Sequence, residues 1–288
     1  MFQRINDVHR IKMQEQPDNK YVFYIGMNDN MDIKAIPMMN TFVTGLVGSG
    51  KSVFLNNFIK NIIEYNPGDS IDISIWDGMS YECSIWFPKK NGEYSTERYI
   101  PHIKDVVYNN EFDKETNDTV KAGLAKLGSR SEFISTIRKE VQTRLTYLED
   151  MYECHDYDTY LNYHYDNLHI TPHVVIFDEY QVTNDEDDEL VELLKVCESA
   201  GVYIVLLSQN VPNALHLVPY CGNRITLRST GSLYSQVLGE EYKDAWLPQY
   251  GYCYYKHARS KTEPEMIKIP FHTRSFLVKF VGSYSIRR

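Results

Sequence analysis

Basic residues are in deficit. The 288-residue chain carries 30 Lys and Arg against 39 Asp and Glu, a net charge of −9 at pH 7. Binding nucleic acid through its phosphates needs a positive surface, which argues against a protein that simply coats DNA or RNA. A ring with an acidic outside and a basic channel stays open, because net charge does not report where charges sit. Cysteine is scarce and solitary: Cys83, Cys154, Cys197, Cys221 and Cys253 form no CxxC pair, and their number is odd. A disulfide framework or zinc knuckle is therefore disfavoured, and a reducing interior fits better. No apolar run approaches the roughly 18 to 20 residues that span a bilayer. The longest, VYIVLL at 202–207 and HVVIF at 173–177, are strand-sized. The first residues show no charged-then-apolar leader, so the expected location is cytoplasmic, with no membrane segment.

What is present suits an α/β fold. The chain is 43% hydrophobic and 24% charged, ordinary for a globular protein. One large domain with an appendage is expected: residues 1–40 as an N-terminal β extension packed on the core, and 41–288 as the main domain. KYVFYIG (20–26) reads as a strand, MNDNMD (27–32) as a turn cluster, and MNTFVTG (39–45) as a strand entering a glycine loop. Val53, Phe54, Phe58, Ile59, Ile62 and Ile63 then follow a helical period that ends at Asn66-Pro67-Gly68. IDISIW (71–76) alternates as a strand does. Residues 88–120 read as loops with one short helix around 101–109. Ser131 is expected to precede a long amphipathic helix that carries Ile137, Val141, Leu145, Leu148 and Tyr152 on one face. HVVIFDE and VYIVLLSQ are buried strands flanking a helix with an acidic first turn, closed by Gly201. RITLR (224–228), YCYYK (252–256) and MIKI (266–269) add further strands. The alternation predicts a mostly parallel central sheet with helices on both faces.

Gly45-Leu46-Val47-Gly48-Ser49-Gly50-Lys51-Ser52 fits GxxxxGK[ST] without a mismatch, between an apolar strand and an amphipathic helix. Glycines let backbone N–H groups turn inward around phosphate oxygens, and the following helix aims its N-terminus at the same anion. Gly45, Gly48, Ser49, Gly50, Lys51, Ser52 and Val53 are thus the candidate ATP-binding residues. Lys51 reaches the β- and γ-phosphates, and the Ser52 hydroxyl ligates Mg²⁺. A chance Gly/Ser turn capping a helix is the bland alternative. Asp178, at the end of a buried strand, would hold Mg²⁺ through its water shell; Glu179 would orient and deprotonate the attacking water. Without the glycine loop, the pair would read as a solvated strand end. Gln209, where VYIVLLSQ emerges, is a candidate γ-phosphate sensor or merely a polar strand terminus. The acidic run Asn184–Glu189 reads as a solvated helix start in preference to a second metal site.

Taken together and in order, these segments resemble the FtsK/SpoIIIE branch of the FtsK–HerA ATPases, over about residues 20 to 270. TGLVGSGKSVFLNNFI resembles that family's TGSGKSV loop. IDISIWD corresponds to its second core strand, ending at Asp77; RKEVQTRLTYLEDM resembles its EMERRY helix and VVIFDEYQ its acid strand. SAGVYIVLLSQNVPN is similar to AAGIHLVLATQRP, NRITLRSTGSLYSQVLG to TRIAFRVSSKIDSRTILD, and LPQYGYCYY to LLGKGDMLY. The resemblance implies a RecA-like P-loop domain, assembled as a homo-hexameric ring that threads double-stranded DNA. Some relatives instead export proteins, move conjugative DNA or package viral genomes. It also implies that Lys51, Ser52, Asp178, Glu179 and Gln209 take the roles given above. Three departures remove basic residues: Asp77-Gly78-Met79 stands for Asp-Pro-Lys, Ser208-Gln209-Asn210-Val211 for TQRP, and STGSLYS for SSKIDSR. After residue 270 there is no room for a DNA-reading winged helix, so a bare motor from a mobile element or phage, with a recruiting protein partner, is expected. Ring ATPases of this class supply an arginine to the neighbouring subunit's phosphate. Arg224 and Arg228 are the first candidates and Arg144 the third. Lys121, Lys126 and Arg130 form a basic stretch that either contacts a nucleic-acid backbone or is an exposed linker. Two rivals remain: a secretion motor of type VII character, whose cargo is polypeptide, and a nucleotide-gated assembly factor that barely hydrolyses ATP.

Overall fold

Strands that are apolar at every position need cover on both sides. The computed structural model describes residues 21–287 apart from 29–31, 67, 69, 79–80, 91–92, 110–117, 165–168, 181–186, 210–213 and 240–248. Its strands are β1 (Val22–Met27), β2 (Ile33–Pro37), β3 (Thr41–Thr44), β4 (Asp72–Asp77), β5 (Lys89–Lys90), β6 (Glu93–Tyr94), β7 (Arg98–Tyr99), β8 (Ile103–Asn109), β9 (Lys126–Gly128), β10 (His173–Asp178), β11 (Val202–Ser208), β12 (Asn223–Thr226), β13 (Tyr252–His257), β14 (Glu265–Lys268) and β15 (Ile286–Arg287). The helices are α1 (Lys51–Tyr65), α2 (Asp118–Lys121), α3 (Arg130–Tyr152), α4 (Tyr157–His164), α5 (Asp187–Val196), α6 (Gly231–Leu238) and α7 (Arg274–Tyr284). Among the described residues, eleven strands form one sheet in the order β2-β1-β14-β13-β12-β3-β11-β10-β4-β8-β9. From β12 to β9 every pairing is parallel; from β12 to β2 every pairing is antiparallel. Helices cover both faces of this mostly parallel sheet.

Side-chain alternation sorts the core into two layers. On one face Val174 and Ile176 of β10, and Val205 and Leu207 of β11, meet Phe54, Phe58, Ile59 and Ile62 of α1 and Leu277 and Phe280 of α7. On the other, Val175, Phe177, Ile204 and Leu206 meet Phe133, Ile137 and Val141 of α3, Leu190 and Leu193 of α5, and Tyr234 and Val237 of α6. The β1–β2 hairpin is no separate layer. β1 pairs with β14, and Phe23 and Ile25 join the α1 face of the core. Residues 1–20 of the expected extension lie outside the described residues. All five cysteines are buried and unbridged.

Three local expectations are corrected. The helix expected around 101–109 is instead the parallel strand β8. Val106 and Val107 are β-branched and find partners in Ile75 and Trp76 of β4, so sheet pairing outweighs any local helical tendency. The long helix begins at Arg130, one residue before Ser131: Ser129 caps it, its Oγ accepting from Glu132 N while Glu132 accepts from Ser129 N. Arg130 is not on an exposed linker but buried at the start of that helix.

At the start of β10, His173 is fully enclosed. Its ring lies 2.9 Å from Glu140 Oε1 through Nδ1 and 2.9 Å from Ser74 Oγ through Nε2. Burial lowers the His173 pKa, so the neutral ring donates from Nδ1 and accepts the Ser74 hydroxyl. Burial alone would raise the Glu140 carboxyl, but the His173 hydrogen bond, with Arg144 and Lys104 nearby, brings it down to about 2. A carboxylate depressed in the folded state stabilises above its unfolded pKa and loses that stabilisation as pH falls through the folded value. The melting temperature of wild type should therefore fall more steeply than that of Glu140→Gln between pH 4.5 and 2. Parallel melting curves for the two proteins would remove Glu140 from this role.

Candidate functional site

β3 delivers the chain to the glycine loop, and its neighbours pin the loop from both sides. Thr44 Oγ1 donates to Ser208 O (3.0 Å), Thr44 O accepts from Leu227 N (2.8 Å), and Leu46 N donates to Arg228 O (3.1 Å). Gly48 and Gly50 take left-handed φ values of 72° and 101°, which a side chain would resist. Gly45 is needed for another reason: a Cβ there would lie 2.4 Å from Ser49 Oγ and 3.0 Å from Leu227 Cβ. α1 starts directly at Lys51, and its cap residue Gly50 offers no side-chain acceptor. The first-turn amides, including those of Ser52 and Val53, thus have no side-chain cap, the arrangement that suits an anion at a helix N-terminus.

Lys51 turns back into the loop. Its Nζ donates to Gly45 O (3.0 Å) and Leu46 O (3.3 Å) and stands 3.7 Å from Glu179 Oε1. The lysine is only 5% exposed. Burial lowers its pKa, while Glu179 and Asp178 oppose that shift. Glu179 follows β10 with φ 54°, a left-handed conformation costing on the order of 1 kcal/mol for a non-glycine residue. Both flanks secure it: Gly78 N donates to Asp178 O (3.0 Å), Tyr180 N to Leu207 O (2.7 Å), and Ser208 Oγ to Tyr180 O (3.1 Å). β11 lies between β3 and β10, so the acids stand two strand spacings, about 9–10 Å, from the end of β3. That gap suits a triphosphate tail and its metal. Ser49 Oγ and Glu179 Oε2 are buried with no hydrogen-bond partner among the described residues. These orphaned oxygens fit a phosphate and a water, and Ser52 with Asp178 supplies the hard oxygen donors Mg²⁺ prefers.

The remaining candidates divide. Gln209 follows β11 at the same sheet edge, since Ser208 registers with Thr44. Arg224 does not reach that edge: it registers with Phe42, and its Nη1 donates to Val237 O of α6 (3.4 Å). Arg228 stands beside the loop of its own chain, its guanidinium 4.7 Å from the Tyr250 ring centroid. Arg144 lies at the opposite end of the sheet, bonded to Glu140 (2.9 Å) and Thr171 O (2.7 Å). Lys126 pairs with Asp105, and Arg130 lies 4.4 Å from the Tyr180 ring centroid. Of the run Asn184–Glu189, residues 184–186 lie outside the described residues. Two nearby residues had been given no role. Asp77 registers with Asp178 and is fully buried, in phase with Ile73 and Ile75 on the α1 face, a phase visible in the alternation of IDISIWD. Tyr180 clamps the turn at Glu179, and nothing in its local sequence signalled this.

No protein-family profile matches the chain, and no curated protein matches it. Solved structures do. The cytoplasmic domain of the type VII secretion ATPase EccC from Thermomonospora curvata superposes with a TM-score of 0.71 at 15% identity, covering 94% of this chain and 31% of that one. ATPases 2 and 3 of EssC from Geobacillus thermodenitrificans give 0.62 at 14% identity, covering 91% and 47%. The pCW3 conjugation coupling protein TcpA, with ATPγS, gives 0.59 at 12%, covering 93% and 71%. The chain thus spans about a third to a half of the EccC and EssC chains. The chain shares its fold with these ATPase structures.

Two substitutions separate loop from scaffold. Gly45→Ala should weaken ATP binding by about tenfold or more with the fold retained, read by calorimetry and circular dichroism. Arg224→Ala should lower the melting temperature yet leave turnover per folded molecule near wild type; lost turnover in a fully folded assembly would instead place Arg224 in the chemistry.

Proposed function

We propose that this chain is an ATP-hydrolysing motor domain working as a homo-hexameric ring, with residues 1–40 as an extension of a 41–288 motor core. The observation that carries the reading is the meeting of Lys51 and Glu179 beside two buried oxygens, Ser49 Oγ and Glu179 Oε2, that have no hydrogen-bond partner among the described residues. Lys51, released from the Gly45 and Leu46 carbonyls, would bind and neutralise the triphosphate. The amides of Gly48 to Val53 would orient it. Ser52 and Asp178 would hold Mg²⁺, which when bound neutralises charge on the phosphate oxygens. Glu179 would take the proton of the water attacking the γ-phosphate, through the carboxylate whose second oxygen has no hydrogen-bond partner among the described residues, and ADP and phosphate would leave. Gln209 would register the loss of the terminal phosphate. A neighbouring subunit's arginine would complete the site; the internal contacts of Arg224 and Arg144 suit scaffold roles better.

The cargo favoured by the sequence resemblance is double-stranded DNA. A polypeptide is the second reading, and specific observations support it. Lys126 and Arg130, the basic stretch considered for a backbone contact, are occupied by Asp105 and Tyr180 of the same subunit, and the net charge is −9. The likeness to secretion ATPases is compatible with it. A binding switch without turnover is disfavoured by the Asp178–Glu179 pair.

Glu179→Gln should keep ATP binding and lose steady-state phosphate release by at least about a hundredfold. Undiminished release would relocate the base. Adding double-stranded DNA to the assembled wild type should raise the rate; stimulation only by a recruiting or cargo polypeptide would decide for secretion.

A further inference from the structure

The two flanks of the phosphate loop differ. Past β11 on one side stand Asp178 and Glu179; on the other side β12 borders β3 directly. A triphosphate whose terminal phosphate is turned toward Glu179 must send its nucleoside toward β12. On that flank Arg228 receives Leu46 N at its carbonyl, so it is fixed to the loop. Its guanidinium lies over the ring of Tyr250, 4.7 Å from the centroid. Tyr250 is 69% exposed, unusual for so large a ring held on an ordered turn. The turn is held firmly: Gly251 takes φ 83°, Tyr252 N donates to Gln249 O (3.1 Å), and Ile269 N donates to Gly251 O (2.7 Å). Leu46, 41% exposed, adds an apolar edge on the same flank.

We propose that Tyr250, braced by Arg228, is the platform on which the nucleotide's base stacks. The assignment rests on the phosphate-loop reading and extends it from the triphosphate to the base. The guanidinium occupies one face of the tyrosine and polarises it, and the exposed ring surface offers an aromatic area at low entropic cost. Such stacking reads the π-face of a base and not its hydrogen-bonding edge, so it tolerates different bases. ATP and GTP should bind alike. This also gives Arg228 a role toward its own subunit's nucleotide.

Calorimetric titration of the full chain with a non-hydrolysable ATP analogue and with inorganic tripolyphosphate, which has no base, tests this. Tyr250→Ala should weaken the analogue about tenfold and leave tripolyphosphate unchanged, with Tyr250→Phe close to wild type. Lys51→Ala should weaken both ligands, which checks the phosphate loop separately. Unchanged analogue binding in Tyr250→Ala would overturn the proposal. So would an equal loss of both ligands, which would make the tyrosine a mere support of the loop. Discrimination between ATP and GTP analogues greater than about a hundredfold would overturn it as well, because only hydrogen bonds to the base edge achieve that.

Discussion

A buried ammonium organises this molecule. Lys51 is held almost out of water by two carbonyls of its own loop and by a carboxylate from a distant strand. Taking a charge out of water costs several kcal/mol unless it is paired and hydrogen-bonded. The partners must therefore be in place before the lysine can be buried, and the sheet puts them there. The same partners are weaker ligands for Lys51 than a triphosphate would be. The loop thus holds its cation in reserve.

The sheet meets this demand through strand order. Inserting β11 between the loop strand and the acid strand opens a gap of two strand spacings, wide enough for phosphates and a hydrated metal. The parallel register then lines Thr44, Ser208, Asp178 and Asp77 along one edge. Left-handed backbone at Glu179 is tolerated because Gly78 and Tyr180 anchor the residues on either side of it. The opposite end of the sheet does different work. There Glu140, His173, Ser74 and Arg144 form a closed polar cluster that caps the core, away from the glycine loop.

Much of this was legible in the residues. GxxxxGK[ST] between a strand and an amphipathic helix reads as a phosphate loop because glycine freedom and helix N–H groups are local properties. HVVIFDE and VYIVLLSQ read as buried strands because no polar position breaks them. Where local pattern is weak, the reading failed. IKDVVYN has no clean period, and only the neighbouring β4 makes it a strand. Ser129 and Ser131 are both plausible caps, and the reciprocal bond with Glu132 selects the first. Arginines carry no signature of direction: Arg144 and Arg224 looked available and are used internally, while Arg228 lies against an aromatic that the sequence did not single out.

By itself, then, the sequence determined the glycine-rich turn between a strand and a helix, the two adjacent acids at the end of a buried strand, and a mostly parallel sheet covered on both faces. Each of these is encoded by spacing within a few neighbouring residues. Only the tertiary structure decided which groups meet: Glu179 with Lys51, Asp77 beside Asp178, Arg228 over Tyr250, His173 with Glu140 far from the loop. Those pairings depend on strand order and register. Order and register arise from the packing of whole elements against one another, which no short stretch of residues contains.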